Sequence, residues 1–294
     1  MSHNVINRRS FLKYSAALTV GAGVLRTSPA AGESKAERKL LKALKIDMLP
    51  RDLSDADKFK LAKRCGFDGI DGVPMDSIDA ARTQADLARA AGVEIHGLVY
   101  GWWPPFLAEP QTAQKAIAGM ENALRCAHAM QATTVLLVPT SLNDEYAYAD
   151  AYKDSQKLIR RLIPLAEELQ VTIALENVWN KFLLSPLEFA RYLDELDSPW
   201  VRAYFDVGNV ILYGFSQHWI RTLGKRIVKL DIKDFKRDGY QWTNVGDGDV
   251  NWPQVSKALA EINFSGYMTA EVAGGDEAYL TDLAQRMTRL VTLG

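Results

Sequence analysis

The sequence has few of the residues that build disulfide frameworks or zinc modules. It contains two cysteines, Cys65 and Cys126, and four histidines in 294 residues. Two cysteines exclude a multi-disulfide scaffold and a cysteine-rich zinc module, and four histidines leave little room for a histidine-rich metal site. An excess of charge is also missing, since 35 Lys and Arg face 36 Asp and Glu. Because nucleic-acid binding requires a basic excess, we expect no nucleic-acid partner.

The first thirty residues lack acidic side chains and have the pattern of an export signal. Arg8 and Arg9 are followed by Phe11 and Leu12, an apolar run over residues 14–25, and small residues at 28–31. The apolar run has about a dozen residues and falls short of the roughly 20 that span a bilayer. The segment resembles the bacterial twin-arginine signal. We therefore expect a periplasmic protein from which residues 1–30 are removed, with no membrane span after cleavage.

The rest of the chain alternates short apolar segments with longer amphipathic ones. Eight such pairs in about 250 residues are typical of a (β/α)₈ barrel, the TIM barrel. A doubly wound open sheet is the alternative, but the first predicted strand lacks the glycine-rich phosphate turn that usually follows it there. We predict an α/β fold: a polar lead-in over 31–41 and a single-domain TIM barrel over 42–294. The predicted strands are 44–49, 69–73, 94–100, 134–139, 172–178, 202–207, 227–232 and 267–272, and the predicted helices are 55–64, 78–91, 112–130, 152–169, 186–196, 217–223, 252–262 and 277–290.

Four acidic residues stand at the ends of the last four predicted strands: Glu176, Asp206, Asp231 and Glu271. The carboxyl ends of barrel strands surround one mouth, so these side chains are expected to converge. Anions brought together in a low-dielectric site require a neutralising cation. An all-carboxylate set favours one hard divalent ion, with Mn²⁺ first and Mg²⁺ or Co²⁺ as alternatives. The competing interpretation is that each acid forms its own salt bridge or caps a helix.

Four segments of the chain resemble the xylose-isomerase-like TIM-barrel superfamily of sugar isomerases and epimerases, which includes ketose 3-epimerases and hydroxypyruvate isomerases. The resemblance extends over roughly residues 40–294. Its segments, in chain order, are L-E-N at 175–177, F-D-V-G-N at 205–209, K-L-D-I-K-D at 229–234 and G-D-G-D-V-N-W at 246–252, followed by Glu271.

The resemblance implies a set of ligands and substrate contacts. In that family one metal is held by Glu, Asp, His and Glu, and Glu176, Asp206 and Glu271 match the first, second and fourth ligands. Asp231 stands where the family usually has histidine, which makes the site more anionic. Arg237 matches a basic residue that contacts substrate oxygens. Asn209 replaces a histidine that frequently contacts substrate.

Further candidate substrate contacts flank these segments. His96, on the third predicted strand, faces either the mouth or the core. Trp103, in the aromatic loop 102–106, and Trp179, just after the fifth strand, are candidate platforms for a sugar ring or simply cover the barrel end. Lys233 shares a face with Asp231 and either reaches a substrate oxygen or offsets the acids.

These features together predict an exported, divalent-metal-dependent sugar isomerase or epimerase. Its chemistry is the abstraction of a proton next to a carbonyl of a keto-sugar through a metal-stabilised enediolate, with Glu176 and Glu271 as the catalytic acid and base. The first alternative is a lyase or hydratase that acts on 3-keto-glycosides by the same enolate chemistry. The second is a non-catalytic periplasmic sugar-binding barrel. The expected partner is a small sugar or keto-glycoside, and a homo-oligomer is left open.

Overall fold

The computed structural model describes residues 39–291. The predicted twin-arginine signal over 1–30 and most of the predicted lead-in over 31–41 lie outside the described residues. No helix within 39–291 combines the length and hydrophobicity needed to cross a bilayer.

Eight parallel strands close into a barrel, with helices between them, as the sequence predicts. The strand order around the barrel is β1-β10-β7-β6-β5-β4-β3-β2, and β8 and β9 form a separate antiparallel hairpin. The strands are β1 Leu40–Lys45, β2 Gly69–Gly72, β3 Glu94–Trp102, β4 Thr134–Val138, β5 Thr172–Glu176, β6 Val201–Asp206, β7 Ile227–Ile232, β8 Asp234–Lys236, β9 Gln241–Thr243 and β10 Gly266–Ala270. The helices are α1 Asp55–Arg64, α2 Ile78–Ala90, α3 Pro110–Met130, α4 Tyr148–Leu169, α5 Pro186–Glu195, α6 Ser216–Leu223, α7 Trp252–Glu261 and α8 Glu277–Val291.

Three of the helices begin at a serine that caps them. The side chains of Ser54, Ser77 and Ser185 accept backbone N–H groups at the starts of α1, α2 and α5. A serine cap satisfies a donor that has no partner within the helix. These caps fix where three helices leave the loops around the mouth.

The first strand differs from its prediction. The expected strand was 44–49, whereas β1 ends at Lys45 and residues Ile46–Met48 form a 3₁₀ turn. Residues 40–44 and 46–49 are about equally apolar, so the local pattern does not choose between them. Pairing decides, because Leu40 to Leu44 are in register with Gly266 to Ala270 of the closing strand. The shift makes Lys45 the last residue of β1, at the mouth of the barrel.

The hairpin β8–β9 follows the seventh barrel strand and was not predicted from the sequence. Its first residue, Asp234, is buried, and its carboxylate accepts backbone N–H groups from Phe235, Gly246 and Val250 and the indole N–H of Trp252 at 2.9–3.1 Å. The three bonds from Gly246, Val250 and Trp252 hold the loop over residues 244–252 against the hairpin. The local sequence has no apolar run that would mark two strands. The hairpin is held by the Asp234 carboxylate, and a hydrophobic pattern does not reveal such an anchor.

The interior of the barrel is divided between apolar and polar side chains. One side is an apolar cluster that includes Leu136, Val138 and Ala174. The rest of the interior contains buried charged and polar groups, among them Lys45, Asp71, His96, Lys229 and Thr269. Buried ionisable groups are rare unless they are paired or functional. These buried polar groups lie next to the candidate site.

Candidate active site

Four carboxylates meet at the mouth of the barrel. Glu176 ends β5, Asp206 ends β6, Asp231 lies in β7, and Glu271 follows β10 directly. One oxygen of each side chain lies within 4.8 Å of those of the other three. Strands β5, β6, β7 and β10 are consecutive around the barrel, so the acids form an arc with Glu176 and Glu271 at its ends. The structure thus brings together the four acids that the sequence selected.

This arrangement is electrostatically costly without a cation. Asp206 and Asp231 are fully buried, and Glu176 is 6% exposed. At 4.8 Å, two unit negative charges repel by about 3 kcal/mol at an effective dielectric constant of about 20. Several such pairs exist in the cluster, so the fold must supply positive charge or protons to hold it.

Two lysines supply part of that charge. Lys233 bridges two acids, with Nζ at 3.0 Å from Asp206 Oδ2 and 2.5 Å from Glu271 Oε2. Lys45 lies within the barrel, with Nζ at 2.9 Å from Asp231 Oδ2 and 3.9 Å from Glu271 Oε1. The acids raise the pKa of each lysine despite burial, so both ammonium groups stay charged. Lys233 was predicted from the sequence as a site residue, whereas Lys45 was not.

The acids at the two ends of the arc have pKa values shifted in opposite directions. Burial, reinforced by the charge of Glu271, raises the pKa of Glu176 well above its ordinary value. Burial also raises the pKa of Asp206, to about 6. Burial acts on Glu271 as well, but Lys45 and Lys233 outweigh it and lower the pKa of Glu271. An acid and a base with separated pKa values are the usual components of proton-transfer sites.

The four acids fit a divalent cation. Asp231 has one oxygen on Lys45, while its other oxygen, Oδ1, is buried without a hydrogen-bond partner. A buried, unpaired carboxylate oxygen costs free energy unless a ligand satisfies it. Four carboxylates are the oxygen donor set that hard divalent ions such as Mn²⁺ and Mg²⁺ prefer.

Two asparagines fix the orientation of Asp206. Asn177 Nδ2 donates to the Asp206 carbonyl and Asn177 Oδ1 accepts the Asp206 N–H, both at 2.9 Å. The Asn209 N–H donates to Asp206 Oδ1 at 2.6 Å, and Asn209 Nδ2 donates to the Asn177 carbonyl at 2.9 Å. Asn209, predicted as a substrate contact, is instead buried against Asp206 and orients it. Asn177 belongs to the L-E-N segment at 175–177. Its role in orienting Asp206 was not predicted, because it acts on the backbone of a neighbouring strand.

His96 does not lie at the mouth, which corrects its prediction as a substrate contact. It is the third residue of β3, which continues to Trp102, so it lies near the amino end of the strand and is 3% exposed. Its ring stacks on Tyr267 at 3.8 Å between centroids and contacts the ammonium of Lys229. Burial and then Lys229 lower the pKa of His96 well below its ordinary value, so the ring is neutral.

A hydrogen-bonded layer separates His96 from the four acids. The Tyr204 hydroxyl donates to Asp71 Oδ2 at 2.5 Å and contacts the Thr269 hydroxyl at 2.8 Å. Asp71 in turn lies 3.5 Å from His96 and 3.6 Å from Lys45. This layer forms a polar floor beneath the metal-binding candidates.

Trp103 is also corrected by the structure. Its side chain is fully buried, and its indole N–H donates to the Ala116 carbonyl of α3 at 3.2 Å. The adjacent Trp102 is 51% exposed. Neighbouring residues of an extended segment point to opposite sides, so one of two consecutive tryptophans enters the core. Trp103 therefore packs the barrel against a helix and does not form a sugar platform.

The other predicted aromatic contact, Trp179, packs against aromatic side chains of the hairpin. Its ring stacks on Trp242 at 4.9 Å between centroids, and Trp242 is 47% exposed. Lys233 Nζ lies 5.0 Å from the centroid of the Trp242 ring, on the side of the acids. Trp242 lines the same cleft as Lys233, and it was not predicted as a site residue because the hairpin itself was not predicted.

A cleft of about 910 Å³ opens beside the carboxylates. Its walls include Lys233, Trp242, Glu271 and Tyr279. Glu271 is the most accessible of the four acids, with 36% of its side chain exposed. The cleft is large enough for a small sugar and gives it access to Glu271, the acid of the four that lines it.

Arg237 lies on the same hairpin but is directed elsewhere. Its guanidinium donates to the carbonyls of Ile211 at 2.7 Å and Gly214 at 3.0 Å, and it lies over the Phe215 ring. These contacts tie the hairpin to the loop that follows β6. In this structure Arg237, which was predicted as a substrate contact, links two loops at the mouth of the barrel.

Comparison with known proteins agrees with this architecture. The family model described as a xylose isomerase-like TIM barrel matches residues 59–290. SgbU of Escherichia coli K12, provisionally named an L-ribulose-5-phosphate 3-epimerase, is 25% identical over 253 residues, which cover 76% of this chain and 85% of that protein.

Two solved structures are similar across the whole barrel. D-psicose 3-epimerase from Clostridium cellulolyticum H10, solved with D-tagatose, is 16% identical with a TM-score of 0.72 and covers 86% of this chain and 98% of its own. The IolI protein, solved with a bound zinc atom, is also 16% identical, with a TM-score of 0.73 and the same coverage. At this identity the two structures establish the fold.

Proposed function

The chain belongs to the xylose isomerase-like TIM barrel family, and from this membership we propose that it is a divalent-metal-dependent sugar isomerase or epimerase. The observation that carries the proposal is the arc of four carboxylates within 4.8 Å, at one end of which Glu271 lines a cleft of sugar size. The epimerases among its relatives support the same class of reaction. The substrate is a keto-sugar or a keto-glycoside, whose acidic C–H lies next to a carbonyl.

Glu176, Asp206, Asp231 and Glu271 would hold one divalent ion, with Mn²⁺ favoured by their all-oxygen donor set. When bound, the ion polarises a carbonyl and so acidifies the neighbouring C–H. Asn177 and Asn209 keep Asp206 in place during turnover, since both bond to it directly. Outer partners of this kind are needed to hold a ligand in its productive orientation.

The two glutamates transfer the proton. They stand at opposite ends of the arc, and we place the reacting carbon against the arc so that Glu176 faces one side of it and Glu271 the other. Removal of a proton on one face and its return on the other inverts the carbon, which is epimerisation. Lys45 and Lys233, at 3.9 and 2.5 Å from Glu271, lower its pKa and keep this glutamate ionised and ready to accept a proton.

Glutamine variants of the two glutamates test the proposal. Glu176→Gln and Glu271→Gln keep the size and one oxygen of each side chain but remove its basicity. Turnover and exchange of the substrate α-proton with D₂O are expected to fall together by about 10²–10⁴-fold, the usual contribution of acid–base catalysis. Proton NMR of keto-sugars and 3-keto-glycosides in D₂O measures both, and the product spectrum separates epimerisation from elimination.

Glu94→Gln is the matched control. Glu94 begins β3 at the opposite end of the barrel, where its carboxylate bonds to Tyr267, and its replacement should leave exchange unchanged. If both glutamine variants at the mouth bind metal and exchange at nearly the normal rate, the base lies elsewhere and the mechanism is wrong.

We also propose that the enzyme is exported to the periplasm by the twin-arginine route. The support is Arg8-Arg9 followed by an apolar run too short to span a bilayer. Replacement of both arginines by lysine should keep the protein in the cytoplasm with unchanged activity. Cell fractionation measures this, and an unchanged periplasmic yield would show that another signal operates.

A further inference from the structure

Lys45 is a buried cation at the inner side of the carboxylate cluster. It is 5% exposed, and its Nζ lies 2.9 Å from Asp231 Oδ2. Further acids lie at longer range, with Asp71 at 3.6 Å and Glu271 at 3.9 Å. The side chain starts from β1 and reaches across β10 to β7, two strands away. Burial of a lysine carries a large desolvation cost, so this side chain needs a compensating role.

Lys45 and Lys233 differ in what surrounds them. Lys233 lines the cleft, with 13% of its side chain exposed, and bonds to two acids at once. Lys45 is enclosed by the barrel and lies against the Tyr204 ring, with Nζ at 5.0 Å from the centroid. A cation or sugar that enters from the cleft therefore meets Lys233 first and leaves Lys45 in place.

The contact between Lys45 and Asp231 leaves room for a second cation. Lys45 occupies Oδ2 of Asp231, whereas Oδ1 is buried and has no hydrogen-bond partner. The same carboxylate can thus contact the ammonium with one oxygen and a metal with the other. A paired carboxylate of this kind has no net charge as a unit, although it still offers an oxygen ligand.

We propose that Lys45 is the built-in counter-charge of Asp231, so that the pair acts as a neutral ligand and sets the charge of the metal centre. The inference rests on the divalent-ion site of the proposed function. Lys45 holds the metal-free cluster together, and it weakens metal binding because it repels the incoming ion. Its role is positional and electrostatic, since it acts through Asp231.

The test uses Mn²⁺ as the probe, without sugar, on chelator-treated protein at pH 8. Isothermal titration calorimetry gives the affinity, and thermal unfolding gives the stability of the metal-free form. In Lys45→Met the metal-free protein should melt lower, because Asp231 loses its partner, while Mn²⁺ should bind at least tenfold more tightly. A merely structural role predicts the opposite sign, since damage to the site weakens binding.

Asp231→Asn completes the comparison. Alone it should weaken Mn²⁺ binding at least 100-fold, because an anionic ligand is lost and Lys45 remains. The double variant Lys45→Met/Asp231→Asn should melt above Lys45→Met and bind Mn²⁺ at least tenfold more tightly than Asp231→Asn. If Lys45→Met does not fold without metal, the comparison of the double variant with Asp231→Asn still decides the sign.

Lys42→Met is the matched control, because Lys42 is on the same strand but bonds to Thr288 on α8. It should leave Mn²⁺ affinity within twofold. Weaker Mn²⁺ binding on loss of Lys45, in either background, or a double variant that melts no higher than Lys45→Met, would overturn the inference. If the unaltered protein binds no Mn²⁺, the metal site of the proposed function is wrong instead.

Discussion

Asn177 offers a test of how the candidate site is held in place. Its side chain is 2% exposed and makes two reciprocal bonds to the backbone of Asp206, each 2.9 Å long. These bonds continue the pairing of β5 with β6 beyond the strand ends. Asn177→Ala removes both bonds and leaves a buried N–H and a buried carbonyl of Asp206 without partners.

The size of the effect follows from these two bonds. A net hydrogen bond contributes about 1 kcal/mol, and a buried group left unpaired costs about 1–3 kcal/mol. We therefore expect Asn177→Ala to lose about 2–4 kcal/mol of the free energy of unfolding, or roughly 5–15 °C in Tm for a domain of this size. Because Asp206 is then free to move, Mn²⁺ affinity should fall about 10–100-fold, as is usual when a partner of a metal ligand is removed.

Asn180 provides the matched control. It is also buried and makes the same kind of bonds, from Nδ2 to the Thr140 carbonyl at 2.7 Å and from the Phe182 N–H to Oδ1 at 3.2 Å. Asn180→Ala should lose a similar free energy of unfolding, but it contacts none of the four acids and should keep its Mn²⁺ affinity. Thermal unfolding and calorimetry measure both quantities. Equal losses of affinity in the two variants would refute a specific role for Asn177.

Three further predictions follow from the same geometry. The purified protein should bind about one divalent ion per chain and lose activity with a chelator; elemental analysis without metal and full activity in EDTA would contradict the site. The pKa of Asp206 is about 6 in the folded metal-free protein against an ordinary 3.8, so the folded state binds more protons than the unfolded state between these values. The contribution of Asp206 to the free energy of unfolding should therefore grow as the pH falls through 6 towards 4. Mn²⁺ affinity should decrease over the same range, because protons compete with the metal for the carboxylate. Unfolding and calorimetric titrations between pH 5 and 8 check both signs. A contribution to stability and a Mn²⁺ affinity that rise or fall together with pH would contradict the prediction. Tyr204→Phe removes the donor to Asp71 and should cost about 1.5–3 kcal/mol in denaturant unfolding; a loss below about 0.5 kcal/mol would show that this bond is not important.

The sequence alone determined the barrel and the position of its acids. Eight alternations of strand and helix specify an α/β fold, because the two hydrophobic periods differ. The lack of a glycine-rich turn after the first predicted strand favours the barrel over an open sheet. Parallel strands of one barrel end at the same mouth, so Glu176, Asp206, Asp231 and Glu271 converge wherever the strand ends are placed correctly. The inference tolerated an error of two residues in the ends of the fifth and eighth strands, because Glu176 and Glu271 still lie at the mouth.

Tertiary structure decided which other side chains belong to the site. His96 was expected to face either the mouth or the core, and the inward packing of β3 places it in the interior near the amino end of the barrel, 3% exposed. Trp103 was a candidate sugar platform, but it is fully buried in the core. Trp242 reaches the cleft on a hairpin that Asp234 anchors through side-chain bonds, which hydrophobic periodicity does not record.

Lys45 shows most clearly why the sequence does not reveal every side chain of the site. In the sequence it is one of several lysines in a short basic segment, and nothing local separates it from the more exposed Lys42. Only the pairing of β1 with β10 and β2 closes the barrel and brings its ammonium to Asp231, 186 residues away. A local pattern shows which residues alternate, but the register between distant strands decides which of them meet in the interior.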